Sequence, residues 1–403
     1  MAKQIDLSYA IGLPPEKAIE YFKSKGLVLT WDWNDLWQEA HSKAFTIAKV
    51  MRMDILQDIK GKLDKALENG TTLQDFRKNL EPTLKAKGWW GYKFVSKEDG
   101  TLERVLEGSP WRLKTIFQTN MQNALSAGKY KEQMELKDER PYWQYVAVMD
   151  SRTRPAHRLL NGKVFRYDDP FWETHYPPLG FNCRCRVRAL SEDEVKARGL
   201  KIESAQGKIK WVDQVVNKKT GVIEKVAVFK DDETGKSIPT DAGFSYNPGE
   251  AAFFPNLDKY DYKVAKQWIM GALTSPDFLA FWDGIIKGNY PVAVIDKKYM
   301  DAIKSKSQVV NLSSDTLKKQ ILEHPEITLK IYQQLPNIIE NAQLIVKDRD
   351  TAFVFLRIDK EIYYGAIKTT KTGLTNFLTS LRKAELNDIK AIKKKGEIIK
   401  DEL

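Results

Sequence analysis

The sequence predicts a multidomain α+β protein: a helical N-terminal region over 1–107, an α+β core with its extension over 108–255, a helical connector over 256–298, and a small C-terminal domain with an antiparallel sheet over 299–403. Three observations carry this. Apolar residues recur at helical spacing through much of the first 133 positions. Alternation with a period of two then marks strands at 141–149 and 183–188, and again at 352–358 and 362–368. With 403 residues and 42% hydrophobic content, the chain has enough apolar surface for two or three cores.

Taken in order, Pro14-Pro15 opens a short helix that Gly26 closes as a C-cap would. From Trp31 to Glu68 the residues Leu36, Phe45, Val50, Leu56, Ile59, Leu63 and Leu67 predict a long helical stretch carrying His41, ended by Asn69-Gly70. Thr71 or Thr72 caps a second helix with Phe76, Leu80 and Leu84 on one face. The pair Trp89-Trp90 is read as a buried corner rather than an exposed docking point. Ser109-Pro110 is a cap and first turn, and the helix behind it is expected to end near Gly128. Residues 141–149 form a strand that runs directly into Asp150.

The chain concentrates its unusual chemistry in 150–190. This segment holds both cysteines, Cys183 and Cys185, and two of the four histidines, His157 and His175. Arg184, Arg186 and Arg188 alternate with Cys183, Cys185 and Val187, so one strand face is predicted to be basic and the other inward. Eight Lys/Arg stand against three Asp/Glu between 151 and 190, a surface suited to phosphates or an acidic partner, although a solvated basic face has the same composition. Pro177-Pro178 cannot continue a helix or a central strand and makes a rigid approach to the Cys183 strand. Thiolates and imidazoles are zinc ligands, which makes His157, His175, Cys183 and Cys185 candidates for a metal. Two cysteines with histidine spacings of 26 and 8 residues match no finger pattern, however. Buried thiols acting as small apolar groups are the favoured reading, with a metal, a disulfide or an exposed redox thiol as alternatives. No cofactor is assigned.

These residues carry a resemblance. An Asp before an Arg/His-containing turn, then a Gly, then a Pro-rich approach to Cys-Arg-Cys, resembles the signature of the phage Mu F-like head morphogenesis family, the minor head proteins of tailed bacteriophages. Here the elements are Asp150, Arg152, Thr153, Arg154, His157, Gly162, Pro177, Pro178, Gly180, Phe181, Cys183, Arg184 and Cys185. The likeness extends over most of 1–255, and the turn-rich stretch 241–249, DAGFSYNPG, resembles the family near its C-terminal boundary, where a structural clasp is expected. The resemblance implies a virion component near the portal, acting in head assembly or DNA delivery. Its partners would be portal and head proteins and phage DNA, and it would be made in the bacterial host cytoplasm before entering the virion.

Composition bounds the alternatives. A formal charge of +11 and a pI near 9.2 favour acidic partners such as nucleic acid. No apolar run approaches the roughly 20 residues of a membrane span, and residues 1–12 do not read as a secretory signal. Lys400-Asp401-Glu402-Leu403 spells an endoplasmic reticulum retention address, taken as coincidence because no entry signal accompanies it. Walker, HExxH and GxSxG motifs are absent, so the simplest support for ATP hydrolysis, zinc proteolysis and α/β-hydrolase chemistry is missing.

In 299–403, helices are predicted at 314–323 and 328–335 and strands at 341–347, 352–358, 362–368 and 374–380, with Asp359-Lys360-Glu361 turning a hairpin. The region around His324-Pro325-Glu326-Ile327 and the final strands with Thr379-Ser380 resemble the phage-associated barnase, EndoU, colicin and RelE-like nuclease group. That likeness implies a metal-independent ribonuclease, which needs a group for the 2′-hydroxyl proton, a group for the leaving oxygen, and cations facing the phosphorane. His324 is the acid–base candidate. Arg357 and Lys368 supply charge, Thr370, Thr379 and Ser380 position phosphate oxygens, and Lys330 and Lys371 add positive charge for binding nucleic acid or a partner. The combined reading is a phage minor head protein with a ribonuclease-like C-terminal domain whose activity is left open. Its rivals are a purely structural virion protein with a non-catalytic C-terminal binding domain, and a prophage-encoded nuclease toxin.

Overall fold

The computed structural model describes residues 15–96, 100–218 and 220–403; the stretch 1–12, where a secretory signal would lie, falls outside them, as does Pro14. The chain mixes helix and sheet in two units, Met1–Lys23 with Leu29–Pro255, and Ser24–Val28 with Asn256–Leu403.

In the first unit, the long helix expected from Trp31 to Glu68 is present only as Met53–Asn69. Upstream, the Asp35 carboxylate accepts the backbone N–H groups of Trp31 and Asp32 at 2.9 and 2.7 Å, a local turn that competes with helix. Gln38 and Lys49 then adopt left-handed φ angles of 43° and 62°, which a right-handed helix does not contain. Leu36, Phe45 and Val50 are core residues all the same, delivered by a folded loop, and His41 lies in the short 3-10 turn Gln38–Ser42. Thr72 caps Leu73–Ala86 by accepting the Asp75 N–H at 3.2 Å, and Trp89 is buried. Ser109 caps the long helix Pro110–Glu135. Gly128 does not end that helix. A Cβ there would lie 2.7 Å from the Ala18 backbone nitrogen, so the glycine instead lets the helix Glu16–Lys23 approach closely.

A four-stranded sheet comes next, in the order Arg186–Leu190, Tyr142–Val146, Val164–Arg166, Ile202–Glu203. Its inner face sends Trp143, Tyr145, Phe165 and Val187 into a core shared with Phe171, Trp172, Tyr176, Cys183 and Cys185. Phe165 stacks on Phe171 at 4.1 Å between centroids. At roughly 1.5–3 kcal/mol for each large apolar side chain fully buried, this cluster stabilises the region. Arg186–Leu190 is an edge strand, but its outward carbonyls are occupied. Gln122 donates to the Cys185 carbonyl at 3.2 Å, Gln133 to that of Val187 at 3.1 Å and Arg140 to that of Ala189 at 2.9 Å. Pairing with a foreign strand is thereby blocked.

The second unit is built on a seven-stranded sheet in the order Asn289–Val294, Val309–Ser313, Asn376–Lys383, Glu361–Thr369, Thr351–Ile358, Leu344–Asp348, Glu397–Asp401. The helix Ser314–Glu323 and the hairpin turning at Asp359, φ 56°, match expectation. The sheet is larger than the small antiparallel one expected, and its pairing of Val310 with Asn376 is parallel. Residues 256–298 hold the helices Tyr262–Leu273 and Pro276–Trp282 and also the edge strand Asn289–Val294, so the expected helical connector is built into this unit. Lys400 pairs with Ile345, and Leu403 packs against the core around Leu344, Val346 and Tyr364, which makes the retention-like tetrapeptide a strand end. Among the described residues no helix is long and apolar enough to cross a membrane.

Candidate functional site

Pairing of Val146 with Arg186 brings the turn after one strand beside the turn before the other. Asp150 and Arg184 meet there in a bidentate pair with hydrogen bonds of 2.8 and 2.6 Å. The Arg184 guanidinium, helped by the Arg152 backbone N–H at 3.0 Å, holds the Asp150 carboxyl well below the usual carboxylate range. The Thr153 hydroxyl donates to the Val148 carbonyl, and Arg158 donates to the carbonyls of Thr153 and Asp150. A turn tied at so many points fixes the start of the helix Pro155–Leu159, whose His157 is buried.

His157 Nδ1 lies 3.7 Å from both Cys183 Sγ and Cys185 Sγ, and the three ligand atoms fall within 4.8 Å of one another. The residues are 2, 5 and 2% exposed, too little for a substrate to reach them. The thiols do face inward as expected, but against an imidazole rather than among apolar groups alone. Hydrogen bonds from Cys185 and His157 push the Cys183 thiol down, while the bond with Cys183 and burial push Cys185 up, so the pair gives up its first proton far more readily than its second. Tyr145 borders the same cluster. Its buried hydroxyl lies beside the Cys185 sulfur and has no other hydrogen-bond partner, and after burial itself the two sulfurs are what raise it furthest. An aromatic at an inward strand position reads as plain core, so nothing in the sequence singled Tyr145 out.

His175 is elsewhere. Its Nε2 is 3.1 Å from the Ile238 carbonyl, its Nδ1 is 2.8 Å from the Thr174 hydroxyl, and Phe171 stacks on the ring at 5.1 Å. With both nitrogens committed it is not a metal ligand, which corrects its candidacy. Gly162, φ 89°, turns the chain so that its N–H reaches the Tyr145 carbonyl at 2.9 Å. Gly180 is required by contact, since a Cβ would sit 2.1 Å from Asp241 Oδ2. Asp241 in turn holds Arg154 at 2.8 Å, and Arg154 donates to the Phe181 carbonyl at 3.0 Å. Phe244 packs edge-on against Phe181 at 4.9 Å, and Asn247 donates to the Trp172 carbonyl at 3.0 Å while capping Pro248–Phe253. The stretch 241–249 is therefore a clasp over the motif. Of the three alternating arginines, Arg184 is committed to Asp150, whereas Arg186 and Arg188 are exposed.

The candidates in the second unit do not converge. Arg357 stands opposite Ile362 and Lys368 opposite Thr351, a separation of roughly 20 Å along the hairpin at about 3.3 Å per residue. One phosphate cannot be held by both. His324 ends the helix Ser314–Glu323 with Nδ1 3.4 Å from Glu326 Oε1, and Lys368 lies 4.0 Å from Asp350. Thr379 donates to the Ala366 carbonyl at a bulge in the sheet, and Ser380 pairs with Ala366. Thr370 and Lys371 belong to the turn after Glu361–Thr369, and Lys330 is exposed on Leu329–Gln333. An ion pair near this region, Arg382 with Asp388 at 3.1 and 3.0 Å, with the guanidinium 5.0 Å over the Tyr364 ring, is not marked in the sequence because it spans a strand-to-helix junction.

Residues 57–188 match the family model of Phage Mu protein F like protein, a span that ends within the strand Arg186–Leu190, just after Cys183-Arg184-Cys185. This stretch is similar to that family. The chain is 45% identical over 251 residues to the "Putative capsid assembly protein F" of Escherichia phage Mu, an alignment covering 62% of this chain and 57% of that protein. It is likewise 45% identical over 227 residues to the Mu-like prophage FluMu F protein of Haemophilus influenzae, covering 56% of this chain and 54% of that one. The chain thus spans a little over half the length of these curated relatives. No solved structure matches it significantly.

Proposed function

We propose that the chain is a minor head protein acting in the assembly of a Mu-like phage head, with portal and head proteins and phage DNA as its partners, in the host cytoplasm and then in the virion. The observation that carries this is the 45% identity over 251 residues to a protein named for capsid assembly. The exposed Arg186 and Arg188 serve as the contact with DNA or with an acidic head partner. They project from an edge strand whose carbonyls are already occupied, so the strand offers side-chain charge rather than backbone pairing. The second unit acts as a binding module rather than as a ribonuclease or toxin, a reading favoured by the distance between Arg357 and Lys368. The test is a phage carrying Arg186→Glu with Arg188→Glu. Particle yield and DNA content should fall while the purified protein melts as before; a melting loss that tracks the assembly loss would assign the arginines to folding and sink the contact.

A further inference from the structure

We propose that His157, Cys183 and Cys185 bind one zinc ion, with a water molecule completing the tetrahedron, and that this ion staples the helix Pro155–Leu159 to the segment 183–185 that leads into the strand Arg186–Leu190. The geometry fits. Zinc bonds of about 2.0–2.1 Å to nitrogen and 2.3 Å to sulfur, meeting at a tetrahedral angle, separate N from S by roughly 3.6 Å. Both separations here are 3.7 Å. A single Nδ1 has one hydrogen-bonding direction in the ring plane and cannot serve two sulfurs, whereas a cation between them serves all three groups.

The charge also fits. Two thiolates and a neutral imidazole cancel a divalent cation, which a buried site requires. Arg184, between the two cysteines in sequence, is already neutralised by Asp150 and leaves the thiolates to the metal. The surroundings are not those of small apolar fillers alone, because the His157 imidazole lies 3.7 Å from both sulfurs. The buried Tyr145 hydroxyl, lacking any other partner, is placed to donate to Cys185 and acts as a positioning residue. Burial at 2–5% makes the ion structural: it joins the helix Pro155–Leu159 to the segment that leads into the strand Arg186–Leu190. The 26-residue gap between His157 and Cys183 hid the site, because strand pairing closes it rather than a local loop.

Full-length protein purified under reducing conditions without chelator should hold one zinc per chain by elemental analysis. After metal removal it should take up cobalt(II) with thiolate-to-metal charge-transfer absorption and the intense visible bands of a tetrahedral site. Cys183→Ser, Cys185→Ser and His157→Ala should each abolish stoichiometric zinc, and His324→Gln should retain it. Because those three substitutions lie in the core, Tyr145→Phe supplies a gentler variant, which should keep the stoichiometry but bind about tenfold more weakly. A folded, reduced chain that binds neither zinc nor cobalt overturns the proposal. So does a cobalt complex without thiolate absorption, or zinc that survives the double Cys183→Ser and Cys185→Ser exchange.

Discussion

Acidification should loosen the first unit through His175. The ring is fully buried, and burial brings its pKa down to about 4, against about 6.5 for a histidine in the unfolded chain. For a base whose folded pKa is depressed, the unfolded state takes the proton first. Stability is therefore complete above about pH 6.5 and is lost as the pH falls from there toward 4. The difference of about 2.5 units, at 1.36 kcal/mol each, amounts to about 3 kcal/mol by the end of that window. Urea unfolding of the full-length protein, followed by tryptophan fluorescence, reports on this region because Trp143 and Trp172 share the core with Phe171, the ring stacked on His175. Carboxylates such as Asp150 add their own acid dependence at lower pH, so the informative quantity is the difference between the wild type and His175→Gln. The variant starts less stable, because its amide replaces two fitted hydrogen bonds, but it should be flatter between pH 6.5 and 4.5. Parallel profiles for the two proteins would refute the assignment of the proton to His175.

Two further outcomes are expected. Gly180→Ala should destabilise the first unit by about 1–3 kcal/mol in denaturant melts, since its Cβ would overlap the Asp241 carboxylate that Arg154 holds; adding Asp241→Ala should recover part of the loss. Full-length protein incubated with a panel of RNAs, tRNA included, in excess EDTA should show no cleavage that depends on His324; cleavage falling about 10²-fold in His324→Ala would restore the ribonuclease reading.

What was legible in the sequence was whatever neighbouring residues decide among themselves. Arg186, Val187 and Arg188 alternate out and in as a period of two requires, Thr72 and Ser109 cap the helices they precede, and Asp359 turns the hairpin. Legibility failed where one local pattern has two physical origins. A glycine punctuates a helix or admits a neighbour, and only the position of Ala18 shows that Gly128 does the second. Apolar residues at helical spacing also arise from a loop that dips repeatedly into a core, as in 31–52, where two left-handed residues decide the matter.

The two sets of candidate site residues differ for a related reason. His324, Arg357 and Lys368 are marked by residue type, and type carries no distance; the register of a single hairpin sends two of them to opposite ends. Asp150, His157, Cys183 and Cys185 are instead spaced elements of one motif, and the Asp150–Arg184 pair and the pairing of Val146 with Arg186 constrain the same few residues independently. A motif whose members are tied to one another by both backbone register and a side-chain ion pair has little freedom to disperse in the fold. That is why the Cys-Arg-Cys segment assembles a centre, and why the cysteines within it are better understood together with Asp150 and His157 than as a spacing of their own.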